Sequence, residues 1–350
     1  MVDWKKFEQI QGSLASIRTP NSAARRRHPP DTDWDRLLAH NDPFAIDYTN
    51  ILGSRAFARL AGKTEVETLP KNALVGTRLS HTLGIINTGV LVGKSLGLNV
   101  ELVRAGTAGH DLGHPAFGHG GEAVLKAEYG IKFLHAVFGC VVAELEKLNL
   151  TYQTLLCILH HSTGSGGLTT STNLPPEAAV VKFADKLFYL WSNIEDAYGG
   201  RMNIPFQPLT TATKKDIAWF GATWKERLAR SIIECCLESA QVGFPSFTTS
   251  PAAQRFEAVK QAMYEHVYYS REKDLFEAGK REQARTVLRY LKDHIANPIA
   301  YFALLTDGET LDIAKTIDLK RDVDLSHYSA HEILAGHTEP IDVTNPDLDW

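Results

Sequence analysis

Along most of this chain apolar residues recur three and four positions apart, the spacing of one helix face, and few runs alternate apolar with polar as a half-buried strand would. From Ile46 onward, Ile51, Phe57, Leu60 and Ala61 fall near that period, up to a turn at Thr68-Leu69-Pro70-Lys71-Asn72. A long amphipathic helix is expected from Leu79 to Leu96, with Leu83, Ile86, Val90 and Lys94 along one side and Gly97 at its end. The next, Glu101 to Asp111, ends on a His-Asp doublet, with Gly113 as its C-cap and Pro115 blocking continuation. Further helices are expected from near His119, over Tyr152 to His161, and from Pro175-Pro176-Glu177 to about Tyr198, because Pro and an acid both suit a first turn. A Gly/Ser/Thr-rich loop, Ser162 to Asn173, separates the last two. Beyond Gly200 the period continues in Trp224 to Gln241, Ala253 to Tyr269 and Leu275 to Ile295, and these stripes read as core. The stretch from Thr306, rich in Asp, His and Thr, reads as irregular and as packing on a neighbouring subunit. The fold class that follows is all-α, in three parts: an arm over 1–45, broken by Pro20, Pro29, Pro30 and Pro43; a core over 46–205; and a C-terminal helical region over 206–350.

Composition narrows the partners. With 350 residues, 44% of them hydrophobic, the chain can bury a large core. A formal charge of -4 excludes a surface built throughout for nucleic acid, and the local exception is Arg25-Arg26-Arg27-His28, which reads as a solvated run. Cys140, Cys157, Cys235 and Cys236 make no CxxC spacing and sit among apolar residues, so a reducing cytoplasm is the expected compartment. The most apolar run, Ile85 to Val100, is interrupted by Asn87, Gly89, Gly93 and Lys94, so no membrane span is expected.

The chemistry concentrates between His110 and Glu122, where His110, His114 and His119 stand with Asp111 and Glu122 among Gly, Pro and small apolar residues. Flanking helices carry two more candidates, His81 and Asp185. A mixed nitrogen and oxygen donor set without thiolate suits Mn, Fe, Mg, Co or Ni better than a structural zinc. His119 and Glu122 are three apart, so on a helix they share a face. Asp185, Tyr189, Asn193 and Asp196 step by four, four and three and form one stripe.

In this order the residues resemble the HD-domain phosphohydrolases, and within them the deoxynucleoside triphosphate triphosphohydrolases, the bacterial dGTPase type and its vertebrate relative. The resemblance rests on Arg59-Leu60 with Lys63-Thr64, Asn72-Ala73, Thr77 to Thr82, His110 to Glu122, Ala184-Asp185 with Tyr189, and Ile194-Glu195-Asp196. A looser match at Val259-Lys260 and Tyr264 carries it to about residue 295. It implies an HD-domain helical phosphohydrolase fold with additional C-terminal helices, and one divalent ion (Mn, Mg, Fe or Co) held by His81, His110, Asp111 and Asp185. It further implies that His119 and Glu122 act on the α-phosphorus, that His114 and His135 face the triphosphate, that Arg78 and Lys186 contact phosphate, and that Tyr189 and Asn193 line the sugar. The implied reaction takes a dNTP, most simply dGTP, to deoxynucleoside and inorganic triphosphate, in a homo-oligomer. Two other readings stand beside it: an HD phosphohydrolase for a monophosphate, cyclic or alarmone nucleotide, and a nucleotide-sensing protein that contacts single-stranded nucleic acid through Arg25 to Arg27.

The departures concern recognition. Asn193 stands where the family commonly has Asp, Phe133-Leu134-His135-Ala136 stands for Phe-Glu-His-Asn, and Asp47-Tyr48-Thr49-Asn50 replaces an Asp-Arg-Asp-Arg-type motif. Glu65 follows Lys63-Thr64 where the dGTPase pattern has Gln. A carboxylate only accepts, so Glu65 would favour a base edge that presents donors, and its other reading is a surface residue.

Overall fold

In a computed structural model, which describes residues 3–30, 32–162, 168 and 171–349, helices account for all regular structure among the described residues, apart from isolated bridges between Thr64 and Thr77 and between Leu168 and Phe247. The N-terminal segment holds α1 (Trp4–Gln9) and α2 (Asp33–Asn41). The middle holds α3 (Pro43–Leu52), α4 (Arg55–Ala58), α5 (Arg78–Leu96), α6 (Val100–Gly109), α7 (His119–Tyr129), α8 (His135–Leu145), α9 (Tyr152–His160) and α10 (Pro176–Tyr198). Then come α11 (Thr211–Phe220), α12 (Trp224–Val242), α13 (Pro251–Met263), α14 (Arg271–His294), α15 (Pro298–Leu304), α16 (Asp307–Asp318) and α17 (Ser329–Ile333). Most of the expected loop between Ser162 and Asn173 lies outside the described residues. No described helix is long and apolar enough to cross a membrane, and all four cysteines are free and buried.

α5 packs against α6, α10 and α12. Thr77 and Ser80 form a reciprocal capping box at its start, and Gly97 (φ 78) closes it in the left-handed conformation. The buried face is the expected stripe only at Ile86: Leu83 is 53% exposed and Lys94 is exposed, whereas His81, Thr82, Ile85, Thr88, Gly89, Val92 and Leu96 point inward. The reason is closeness of approach, since a Cβ on Gly89 would come within 2.9 Å of Thr107 and Val103 on α6. A Cβ on Gly84 would come still closer, within 2.0 Å of Phe188 on α10, so glycines mark the tightest contacts of this helix.

Two more expectations are corrected. Gly113 is not a left-handed cap, because the only left-handed residues in this loop are Phe117 (φ 61) and Gly118 (φ 54). Its role is clearance: a Cβ there would lie 2.1 Å from the His135 carbonyl oxygen, which lets the loop after α6 lie against the start of α8. The stretch from Thr306 opens on a helix and is irregular only beyond Asp318, apart from Leu325–His327 and α17. Thr306 and Glu309 make a capping box for α16, whose Thr310, Ile313 and Ala314 are buried. Its Asp307 carboxylate accepts the backbone N–H of Phe117 at 2.7 Å and of Thr64 at 2.9 Å, tying this helix to the loop after α6.

The triple arginine is not a solvated run. Arg26 pairs with the fully buried Asp47 at 2.6 Å and donates to the carbonyls of Asn149 and Pro43. Arg27 pairs with Glu144 and Asp347, each at 2.6 Å, and Arg25 lies over the Tyr152 ring. These contacts strap the N-terminal segment to the helices behind it. Apolar cores also cross the chain's divisions: one joins α3 and α6–α9 to α14–α17, and another joins Leu14, α5 and α10 to α11–α13.

Candidate active site

His81 lies in the first turn of α5, His110 and Asp111 just past the end of α6, and Asp185 in the middle of α10, so the mutual packing of these three helices brings all four together. One donor atom each from His81, His110 and Asp111 lies within 4.8 Å of the others. His81 Nε2 is 3.3 Å from Asp185 Oδ1, and His110 Nε2 is 3.4 Å from Asp111 Oδ2. His110 Nδ1 donates to the Thr107 carbonyl at 2.7 Å, which leaves the lone pair on Nε2, a buried nitrogen with no hydrogen-bond partner. An imidazole held from behind by a carbonyl, with its free nitrogen among carboxylates, is the arrangement of a metal-ligating histidine. The donor set fits a divalent cation.

Electrostatics agree with that fit. Burial alone would raise the Asp111 carboxyl, but His110, Arg78 and His81 outweigh it and hold it well below the usual carboxylate range. Asp185 is likewise held down against burial by Lys186 and His81. Burial keeps His110 below its ordinary value, in favour of the neutral ligand form. Arg78 pairs with Asp111 at 2.8 Å and Lys186 with Asp185 at 3.0 Å. Lys186 is not a solvated helix residue, since its side chain is only 12% exposed.

Beside this cluster, Glu122 links two histidines. Its Oε2 accepts from His119 Nδ1 at 2.8 Å, and its Oε1 accepts from His135 Nδ1 at 2.8 Å and from the His135 backbone N–H at 3.0 Å. The three-residue spacing on α7 makes the first contact, and the close approach at Gly113 helps to make the second. Burial would raise Glu122, but His135 and His119 bring it well below its ordinary value. The His119 side chain is 71% exposed and makes no cap; Gly118 occupies that position. His114 stacks on His135 with centroids 3.7 Å apart, and its Nε2 is 3.3 Å from Asp111 Oδ1.

These groups open on one cavity of about 290 Å³. Arg78, His81, Asp111, His114, His119, Glu122, His135, Asp185, Lys186, Tyr189, Asn193 and Glu65 all line it, and His110 stands behind its wall. Glu65 is not a surface residue: its side chain is 10% exposed and its Oε1 lies 3.4 Å from His81 Nδ1. Asn193 donates to the Tyr268 hydroxyl at 3.0 Å, leaving its own carbonyl oxygen buried without a partner. Asp196, the last member of the α10 stripe, is taken up instead by Arg201 at 2.8 Å.

The sequence reading missed part of the lining. His161 follows α9, and the only local signal for it was a His160-His161 doublet at a helix end. Tyr268 and Tyr269 are brought in because α13 passes into a π-type turn, Tyr264–Tyr268, rather than continuing as the single helix expected to Tyr269. Lys273 joins them from the first turn of α14.

A family model described as HD domain matches residues 78–190. Among curated proteins, the chain is 39% identical over 159 residues to a "Deoxyguanosinetriphosphate triphosphohydrolase-like protein" of Clostridium tetani, covering 44% of this chain and 46% of the relative. A protein of the same name from Desulfatibacillum aliphaticivorans is 35% identical over 206 residues, covering 55% and 57%. The chain thus spans about half the length of these two relatives. A third, from Clostridium perfringens, is 30% identical over 303 residues, covering 84% of each chain.

Proposed function

Because this chain belongs to the HD-domain deoxyguanosinetriphosphate triphosphohydrolase-like proteins, we propose that it hydrolyses deoxynucleoside triphosphates, most simply dGTP, to deoxynucleoside and inorganic triphosphate. The observation that carries the reading is the opening of two constellations, the His/Asp cluster and the Glu122-bridged histidines, into one cavity. His81, His110, Asp111 and Asp185 would hold the divalent ion. Such an ion, bound there, would polarise a phosphoryl oxygen.

The chain's own residues supply the rest. His119 donates from Nδ1 to Glu122, so its Nε2 is the nitrogen free to move a proton at the α-phosphorus, and the carboxylate stabilises the ring when it is charged. Arg78 and Lys186 bring positive charge to the triphosphate, with His114 and His135 between them. Tyr189 and Asn193 face the sugar, where the unpartnered Asn193 oxygen accepts from a hydroxyl. Glu65, an acceptor at the edge of the same wall, favours a base edge rich in donors. Two cations and a row of imidazoles favour a polyphosphate over a monophosphate or cyclic nucleotide.

The test is to incubate the pure protein with each dNTP and Mn or Mg and to resolve the products. Deoxynucleoside with tripolyphosphate supports the reading. Pyrophosphate with monophosphate, or no turnover of any dNTP, overturns it.

A further inference from the structure

His161 has no part in the residue set assigned above, yet it is 1% exposed and placed by hydrogen bonds at both ends of its ring. Nδ1 lies 2.6 Å from the Ile158 carbonyl oxygen, which can only accept, so Nδ1 carries the hydrogen and Nε2 is left as an acceptor. That Nε2 lies 3.1 Å from Nε2 of His135. From its other side His135 donates its Nδ1–H to Glu122, so with His161 accepting at Nε2 the ring carries a hydrogen on each nitrogen, an imidazolium paired with the Glu122 carboxylate, and that carboxylate also accepts from His119. Four side chains thus form one run of hydrogen bonds, from a buried ring to the exposed one at the mouth of the cavity.

Stacking on His114 sets the plane of the His135 ring but does not choose between the ring and its flipped form, which fills nearly the same space. The flipped form would turn carbons toward both His161 and Glu122. The two hydrogen bonds make that choice, and only the one from His161 is independent of the catalytic pair. We propose that His161 is a positioning residue: by accepting the Nε2–H of His135 it fixes that ring, and through it the carboxylate that orients His119. The proposal rests on the reading of His119 and Glu122 as the proton-transfer pair.

The test compares His161→Leu with His161→Gln in the full chain with saturating Mg. Leucine fills similar volume without an acceptor, and glutamine keeps an acceptor oxygen. The expected result is a loss of about 10- to 100-fold in kcat for His161→Leu, the scale of a hydrogen bond to a charged group. His161→Gln recovers to within about fivefold, and metal content is unchanged in both. Equal impairment of the two variants would show a packing role and overturn the proposal. Wild-type turnover in both, or loss of metal from either, overturns it as well.

A second measurement does not depend on turnover. Nitrogen-15 histidine NMR of the Mg-loaded wild type should show a His135 Nε2–H protected from solvent exchange, absent in His161→Leu and retained in His161→Gln. Its absence from the wild type refutes the contact even if a variant misfolds. Its presence in a protein that turns over no dNTP keeps the contact and refutes the function.

Discussion

Replacing Glu122 by glutamine keeps the shape of the side chain and removes its charge and one of its two acceptors. The carboxylate takes three hydrogens: His119 Nδ1–H on one oxygen, and the His135 Nδ1–H and backbone N–H on the other. A glutamine has one oxygen for these three donors. Facing that oxygen toward His135 satisfies two of them, so the amide nitrogen must face His119 Nδ1. An N–H cannot accept, so His119 shifts its hydrogen to Nε2, and the nitrogen presented to the substrate can no longer take up a proton. General acid–base catalysis contributes about 10² to 10⁴ in rate, and an imidazole held in the wrong tautomer forfeits most of it. We expect kcat of Glu122→Gln to fall by about 10³-fold, with KM changed less than about fivefold, because Arg78 and Lys186, the cations proposed to meet the triphosphate, are untouched. Metal content should match the wild type, since Glu122 is outside the His81–His110–Asp111–Asp185 cluster. The assay is steady-state release of tripolyphosphate with metal analysis of the same preparation. A kcat within threefold of wild type refutes the assigned role, and loss of metal moves Glu122 into the ligand set.

Three other outcomes are expected. Asp111→Ala should lose bound metal and turnover together, because the carboxylate that meets His110, His114 and Arg78 is gone, and an inactive variant with full metal occupancy would contradict this. Glu65→Gln should change the ratios of kcat/KM among the four dNTPs several-fold, as expected from exchanging a charged acceptor for an amide worth on the order of 1 kcal/mol less; unchanged ratios in a four-dNTP competition would remove Glu65 from substrate recognition. Away from the site, Glu238 is held by the Ser250 hydroxyl and by the backbone N–H groups of Thr248, Ser250 and Thr249, which outweigh burial and lower its carboxyl to about 2. A depressed carboxyl stabilises the fold above its unfolded pKa and loses that contribution as pH falls toward the folded one. Glu238→Gln should therefore cost about 2 kcal/mol in urea unfolding at pH 7, and the gap should narrow steadily from pH 5 downward; a gap independent of pH would contradict it.

How much could be seen in advance follows from where each signal resides. The His110-to-Glu122 run is local, so its residues and the three-residue step from His119 to Glu122 were legible directly. His81 and Asp185 were legible because the helices that carry them have clear starts, at the Thr77 cap and at Pro176. The way α5 faces was not, because its closest approaches are made by Gly84, against Phe188 of α10, and by Gly89, against α6, rather than by a hydrophobic stripe. α16 was hidden by polar composition, although Thr306 and Glu309 carry its capping signal in sequence. His161, Tyr268 and Tyr269 reach the cavity through tertiary packing and a local change of helix type, which no spacing rule on a single segment records. The arginine run shows the same limit, since the partner of Arg26 is an aspartate 21 positions along that looks like any other until α3 buries it.

Oxygen-18 water distinguishes cleavage between the α-phosphorus and the 5′-oxygen, as proposed, from cleavage elsewhere. The protein is incubated with dGTP and a divalent metal in labelled water, and both products are analysed by mass spectrometry. The account predicts one labelled oxygen in the tripolyphosphate and none in deoxyguanosine. Label in the deoxyguanosine 5′-hydroxyl, or a monophosphate and pyrophosphate pair in place of these products, would contradict it.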